Sequence, residues 1–171
     1  MPPRLFLAAF LVLSPSTLLA SPPSSPAVTA FMGVCMLARG DLATAQQTAS
    51  HAGFSHSLDP QVKIGLVRDG APPETVVLVK TDMAVVAEPN GPCTVFSSEP
   101  DSHASLAAIR YWLPPENSLL TYEAEVLTDD DSRFSVAFKI RTPNGPFADW
   151  VFSYSRKPTK YNIAITFVPR I

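Results

Sequence analysis

Apolar positions recur at helical spacing from residue 28 to residue 52, and mostly at strand spacing from residue 62 onward. Val28, Phe31, Met32, Cys35 and Met36 stand three and four apart, which places them on one helical face. Ser25 suits the N-cap of that helix. Pro26 suits its first position, where the missing N–H of proline leaves no helical bond unmade. Gly40 stops it, and Asp41 can cap a second helix carrying Leu42, Ala45, Ala49 and Ala52. Gly53 ends that helix, with Phe54 placed to fold back on its last turn. The alanine face is shallow and predicts a close neighbour, so the start reads as an αα-hairpin.

The period then changes to two. Val62 to Val67, Thr75 to Lys80, Met83 to Ala87 and Cys93 to Ser97 are short β-rich runs divided by Asp69-Gly70, Pro72-Pro73 and Pro89-Asn90-Gly91-Pro92. The last two runs predict a hairpin in which Thr94 and Phe96 face away from Cys93 and Val95. Helical spacing returns over 99–113, with Asp101 or Ser102 as cap, Leu106, Ile109 and Leu113 inside, and Pro114-Pro115 as terminator. Four strands follow at 119–127, 133–141, 147–154 and 161–168, joined by turns that predict an antiparallel meander. In the first of these, Tyr122, Ala124 and Val126 are expected on the buried side and Glu123 and Glu125 on the wet side. The fold class is α+β: an N-terminal αα-hairpin and a third helix packed on a mostly antiparallel sheet, with one disulfide.

Residues 1–20 stand outside this pattern. Arg4 precedes the run Leu5 to Leu13, and Leu18-Leu19-Ala20 offers a cleavage end, which is the order of a secretory signal peptide. The run is shorter than the roughly 18 apolar residues of a membrane span, and no second long one follows, so no stable span is expected after cleavage. Residues 21–26, Ser-Pro-Pro-Ser-Ser-Pro, read as a flexible leader, and 27–171 as a single domain. An exported chain with two cysteines predicts one disulfide, Cys35 to Cys93.

Removing the signal leaves twelve Lys and Arg against fifteen Asp and Glu. With no basic stripe, nucleic acid is a poor expectation as partner. The basic stretch Arg156 to Lys160 reads as a solvated turn. His51, His56 and Asp59 do not share an enforced face, which argues against a metal site. Ser55 and Ser57 flank His56 without a nucleophile turn. Asp129, Asp130 and Asp131 lack the spacing of a calcium loop and read as a turn. No cofactor signature is present. The residues best suited to a ligand or partner surface are Trp112, Trp150 and Tyr154, whose aromatic bodies carry polar tips suited to the edge of a core or to a cleft.

The Phe31-x-x-x-Cys35 helix, the Ala-rich helix ending Gly53-Phe54 and the Gly91-Pro92-Cys93-x-Val95 strand cover about residues 28–97. In these features the chain resembles small exported proteobacterial proteins of largely uncharacterised function. The resemblance implies a periplasmic or secreted location and supplies no active residues. The expected function is a non-enzymatic binding or envelope-associated module, with an envelope protein or a small apolar ligand as partner. The alternatives are a small envelope hydrolase whose acid–base site only the fold assembles, and a structural envelope factor.

Overall fold

A computed structural model of the chain describes residues 23–170. The expected signal segment, the first two leader residues and the last residue of the chain lie outside that range. Eight strands form one antiparallel sheet in the order β1-β2-β3-β4-β8-β7-β6-β5. They are β1 (Ser55–His56), β2 (Val76–Lys80), β3 (Met83–Ala87), β4 (Cys93–Ser97), β5 (Thr121–Asp129), β6 (Arg133–Thr142), β7 (Gly145–Ser155) and β8 (Ile163–Pro169). Two antiparallel runs, β1 to β4 and β5 to β8, are thus zipped together by the β4–β8 pair. The expected meander and the β3–β4 hairpin are both present.

The first helix, α1 (Pro26–Ala30), continues directly into a π-helical stretch over Phe31–Met36. Ser25 caps it as expected, accepting from the Val28 N–H at 3.2 Å. Ser25 is itself buried, so the fold takes in the end of the expected leader. Val34, outside the helical stripe read from the sequence, is as buried as Phe31 and Cys35.

Helix α2 (Leu42–His51) begins at Asp41, whose carboxylate accepts from the Thr44 N–H at 2.7 Å. It ends as its glycine predicts. Gly53 is left-handed at φ 83°, and the Phe54 and Gly53 N–H groups donate to the Ala49 and Ser50 carbonyls, the bonding of a Schellman motif. The buried Ala45 and Ala49 let α2 lie close on β2 and β3.

Residues 62–67 are the clearest correction. Residues 62–66 are helical, within α3 (Pro60–Leu66), and only Val67, which follows it as C-cap, is extended; Asp59 caps the start by accepting from the Gln61 N–H at 2.8 Å. An Asp-Pro start outweighs two β-branched residues in so short a segment. The last helix, α4 (Ser102–Tyr111), is capped by Asp101 and carries the chain from β4, in the middle of the sheet, to β5 at its edge.

The helical start lies on one face of the sheet, against β2, β3, β4 and β8, while α4 packs on α1. The disulfide between Cys35 and Cys93 ties the π-helical stretch to β4, with Cα atoms 5.3 Å apart. On the opposite face Tyr161 packs against Phe96, and α3 shares a cleft with Lys160 and Tyr161. Strand pairing defines one row on the helix-bearing face, running Leu78, Val85, Val95, Ile165, Phe152, Val136 and Val126. The first six are buried. Val126, the last, is 59% exposed. Tyr122 and Ala124 are exposed beside it, which corrects the expected buried side of β5: the helices roof the other end of the sheet.

Candidate functional site

The three aromatic candidates do not converge. Trp112 follows the last residue of α4 and is half exposed, edge-on to Tyr111. Tyr154 lies near His103, at the start of α4, and stacks on Phe134 at 5.4 Å. A ten-residue helix is about 15 Å long, so Trp112 and Tyr154 mark opposite ends of α4. Trp150 is 4% exposed and meets Phe31 edge to face at 5.5 Å. Its indole N–H, the polar tip that suggested a cleft, has no hydrogen-bond partner among the described residues. Trp150 is a core residue.

The titratable clusters are equally dispersed in role. Ser55 and His56 lie exposed on β1, His51 ends α2, and Asp59 is spent on capping α3. Among the described residues no group of three His, Cys, Asp or Glu side chains could hold a metal ion. Asp130 accepts from the Ser132 N–H and hydroxyl and from the Arg133 N–H. The Ser132 hydroxyl first, then those two backbone N–H groups, hold its carboxyl below the usual carboxylate range. It forms a turn. Glu123 and Glu125 lie on the wet face as expected, each reaching diagonally across the strand pair, to Arg141 at 3.9 Å and to Lys139 at 2.5 Å. The hydrogen bond that the Lys139 ammonium donates to Glu125 raises the Lys139 pKa.

The site that emerges is a cavity at the other end of the molecule. It has a volume of about 570 Å³ and lies between the helical start, the end of α2 and the β2–β3 hairpin. Its walls are mainly apolar: Ala30, Gly33, Val34, Phe54 and Met83. Phe54 owes its position to the Schellman turn, which folds it back over α2. Met83 opens β3 and points to the helix-bearing face, in register with Lys80.

Polar groups at the rim are few and mostly committed. The Thr29 hydroxyl donates to the Ser25 carbonyl. The Ser25 hydroxyl donates to Glu99 at 2.9 Å, whose carboxylate also accepts from the Ser105 hydroxyl and the Ala27 N–H. Glu99 thereby joins the first turns of α1 and α4. Lys80 differs. Its ammonium donates to the Ala52 carbonyl at 3.1 Å and sits 5.8 Å from the centre of the Phe54 ring, and no carboxylate among the described residues pairs with it.

Sequence reasoning missed Gly33, Lys80 and Phe54 as a group because three separate segments supply them. One signal was present. Gly33 interrupts an otherwise apolar helix, a position where glycine costs about 0.5–1 kcal/mol relative to alanine. No tight packing requires it, since a Cβ built there meets nothing within 4 Å. No protein-family model, curated protein or solved structure matches the chain.

Proposed function

We propose that the protein is a non-enzymatic binding module, exported by a signal peptide over residues 1–20, whose ligand site is the apolar cavity beneath its helical start. In this reading the first two helices act as one αα-hairpin that roofs the site, and the Cys35–Cys93 disulfide holds that roof in the oxidising space outside the cytoplasm. The observation that carries the proposal is the cavity itself. It is an open groove with Gly33, Ala52 and Lys80 exposed along it; its 570 Å³ is within the size range of small-ligand sites, and a mostly apolar wall with few polar groups is their usual composition. The dispersed roles of the serines, histidines and carboxylates lend nothing to a hydrolase.

The test uses N-phenylnaphthylamine, an uncharged probe that brightens in apolar surroundings. Fluorescence should saturate at one probe per chain. At a hundredfold excess over Kd, linkage adds about 2.7 kcal/mol to stability, which raises Tm by several degrees. A linear, unsaturable titration with an unchanged Tm would remove the proposal.

A further inference from the structure

We infer that the cavity takes a single-chain amphiphile with an anionic head, that Lys80 receives the head, and that Gly33 sets the room for the chain. The inference rests on the binding role proposed for this cavity and names its ligand class. Of the lining's polar side chains other than Lys80, Ser25 and Thr29 are committed to hydrogen bonds and Ser24 is exposed at the mouth, so the covered part of a ligand must be apolar. At the rim Lys80 combines three properties that suit an anion: a positive charge, donor positions left over after its bond to the Ala52 carbonyl, and no paired carboxylate among the described residues. Phe54 beneath the ammonium steadies it by a cation–π contact while leaving those donors available.

Gly33 gives an independent argument. It occupies an exposed helical position where glycine is disfavoured; it lines the open groove, and a Cβ there would meet open space and no neighbouring backbone. A larger residue there would fill the space a ligand chain needs.

Decanoate, decanol and decyltrimethylammonium, each kept below its micellar concentration, share one chain and differ only in head group. Isothermal titration should rank decanoate first, decanol about fivefold weaker and the cation weakest, the gap reflecting one exposed ion pair. Lys80→Met should reduce decanoate to the level of decanol and leave decanol unchanged, and Lys80→Arg should restore the preference. Gly33→Leu should weaken decanoate and decanol alike by more than about tenfold, with Tm unchanged or raised. Gly33→Ala should weaken both by a smaller factor, and it serves where the leucine variant does not fold.

Equal affinity for decanoate and decanol, insensitive to Lys80→Met, would overturn the head-group assignment while leaving the cavity as a binding site. Binding indifferent to both Gly33 variants would overturn the chain assignment. Silence from all three amphiphiles would remove the underlying binding role too. Sedimentation with phosphatidylglycerol vesicles without any binding of monomeric decanoate would replace the free amphiphile with a membrane surface.

Discussion

Val95 on β4 and Val126 on β5 belong to the same row on the same face of one sheet, yet Val95 is wholly buried and Val126 is 59% exposed. Alternation along each strand is equally clear, so strand pattern does not account for the difference. Position in the sheet does. β4 lies at the centre, beneath the disulfide-linked helical start, whereas β5 is an edge with β6 on one side only. Full burial of a valine is worth roughly 1.5–3 kcal/mol over leaving it in water, so the roofed centre must carry most of the hydrophobic stabilisation. The bare end holds by its hydrogen-bond ladder, by Glu125–Lys139 and Glu123–Arg141, and by Arg156, which bonds to Asp129 at 2.6 Å and to the Asp130 carbonyl. Its glutamates and the irregular register between Val126 and Thr128 also make the free edge a poor template for another strand.

The largest effect should come from removing the staple. Replacing Cys35 and Cys93 together by alanine opens a loop of 58 residues, worth about 4 kcal/mol on the chain-entropy model. Hydrogen exchange should quicken first in the π-helical stretch and β4, before β5 and β6. Equal loss of protection in both regions would show that the sheet unfolds as one unit and would break the comparison. Next comes truncation within the row. Ile165→Ala, in the buried centre, should cost about 2–5 kcal/mol, against no more than about 0.5 kcal/mol for Val126→Ala. Similar shifts in the denaturant midpoint for the two variants would mean that β5 is covered in solution.

A smaller effect is expected at Glu99, which belongs wholly to the roofed region. Glu99→Ala deprives the buried Ser25 and Ser105 hydroxyls and the Ala27 N–H of a shared acceptor. Leaving such donors unpaired costs about 1–3 kcal/mol, at the lower end here because the Ser105 hydroxyl also reaches the Asp101 carbonyl. Urea midpoints for Glu99→Ala and Glu99→Gln would separate the loss of the acceptor from the loss of charge. A midpoint unchanged in Glu99→Ala would show that the junction of α1 and α4 does not depend on it.

The same contrast explains how much could be read from the chain. Alternation in 133–141 and 161–168, the Asp41 and Asp101 caps and the Gly53 turn all follow from local chemistry, because one residue and its neighbours decide each of them, and the disulfide follows from there being two cysteines and so one possible pairing. What failed depended on distant segments. Tyr122, Ala124 and Val126 have a sound pattern for a buried face, but whether a helix lies over that face is set by the path of α4 and by the order of the strands. Val62 and Ile64 suit a strand, but the Asp59-Pro60 start that caps α3 decides for helix over 60–66. The cavity was illegible for a third reason: Gly33, Phe54 and the Lys80–Met83 hairpin come from three places in the chain, and only the isolated glycine hinted at it.

The smallest effect tests the two regions against each other through acid. Asp41, at the head of α2, and Asp130, in the β5–β6 turn, are both held below the usual carboxylate range, by Thr44 and by Ser132 respectively. A carboxyl whose pKa is lower folded than unfolded stabilises the fold fully above its unfolded value. That stabilisation is lost as pH falls through the folded value. Each aspartate should therefore loosen its own region as pH falls through and below the ordinary carboxylate range. Asparagine keeps the accepting oxygen and does not titrate, so each Asp→Asn variant should leave neutral-pH stability nearly unchanged and flatten the acid response of one region alone. Asp41→Asn should preserve helical circular dichroism into acid, and Asp130→Asn should preserve the Ser132 and Arg133 amide signals. If Asp130→Asn protected the helical signal as well as Asp41→Asn does, the roofed centre and the bare edge would be responding as a single unit.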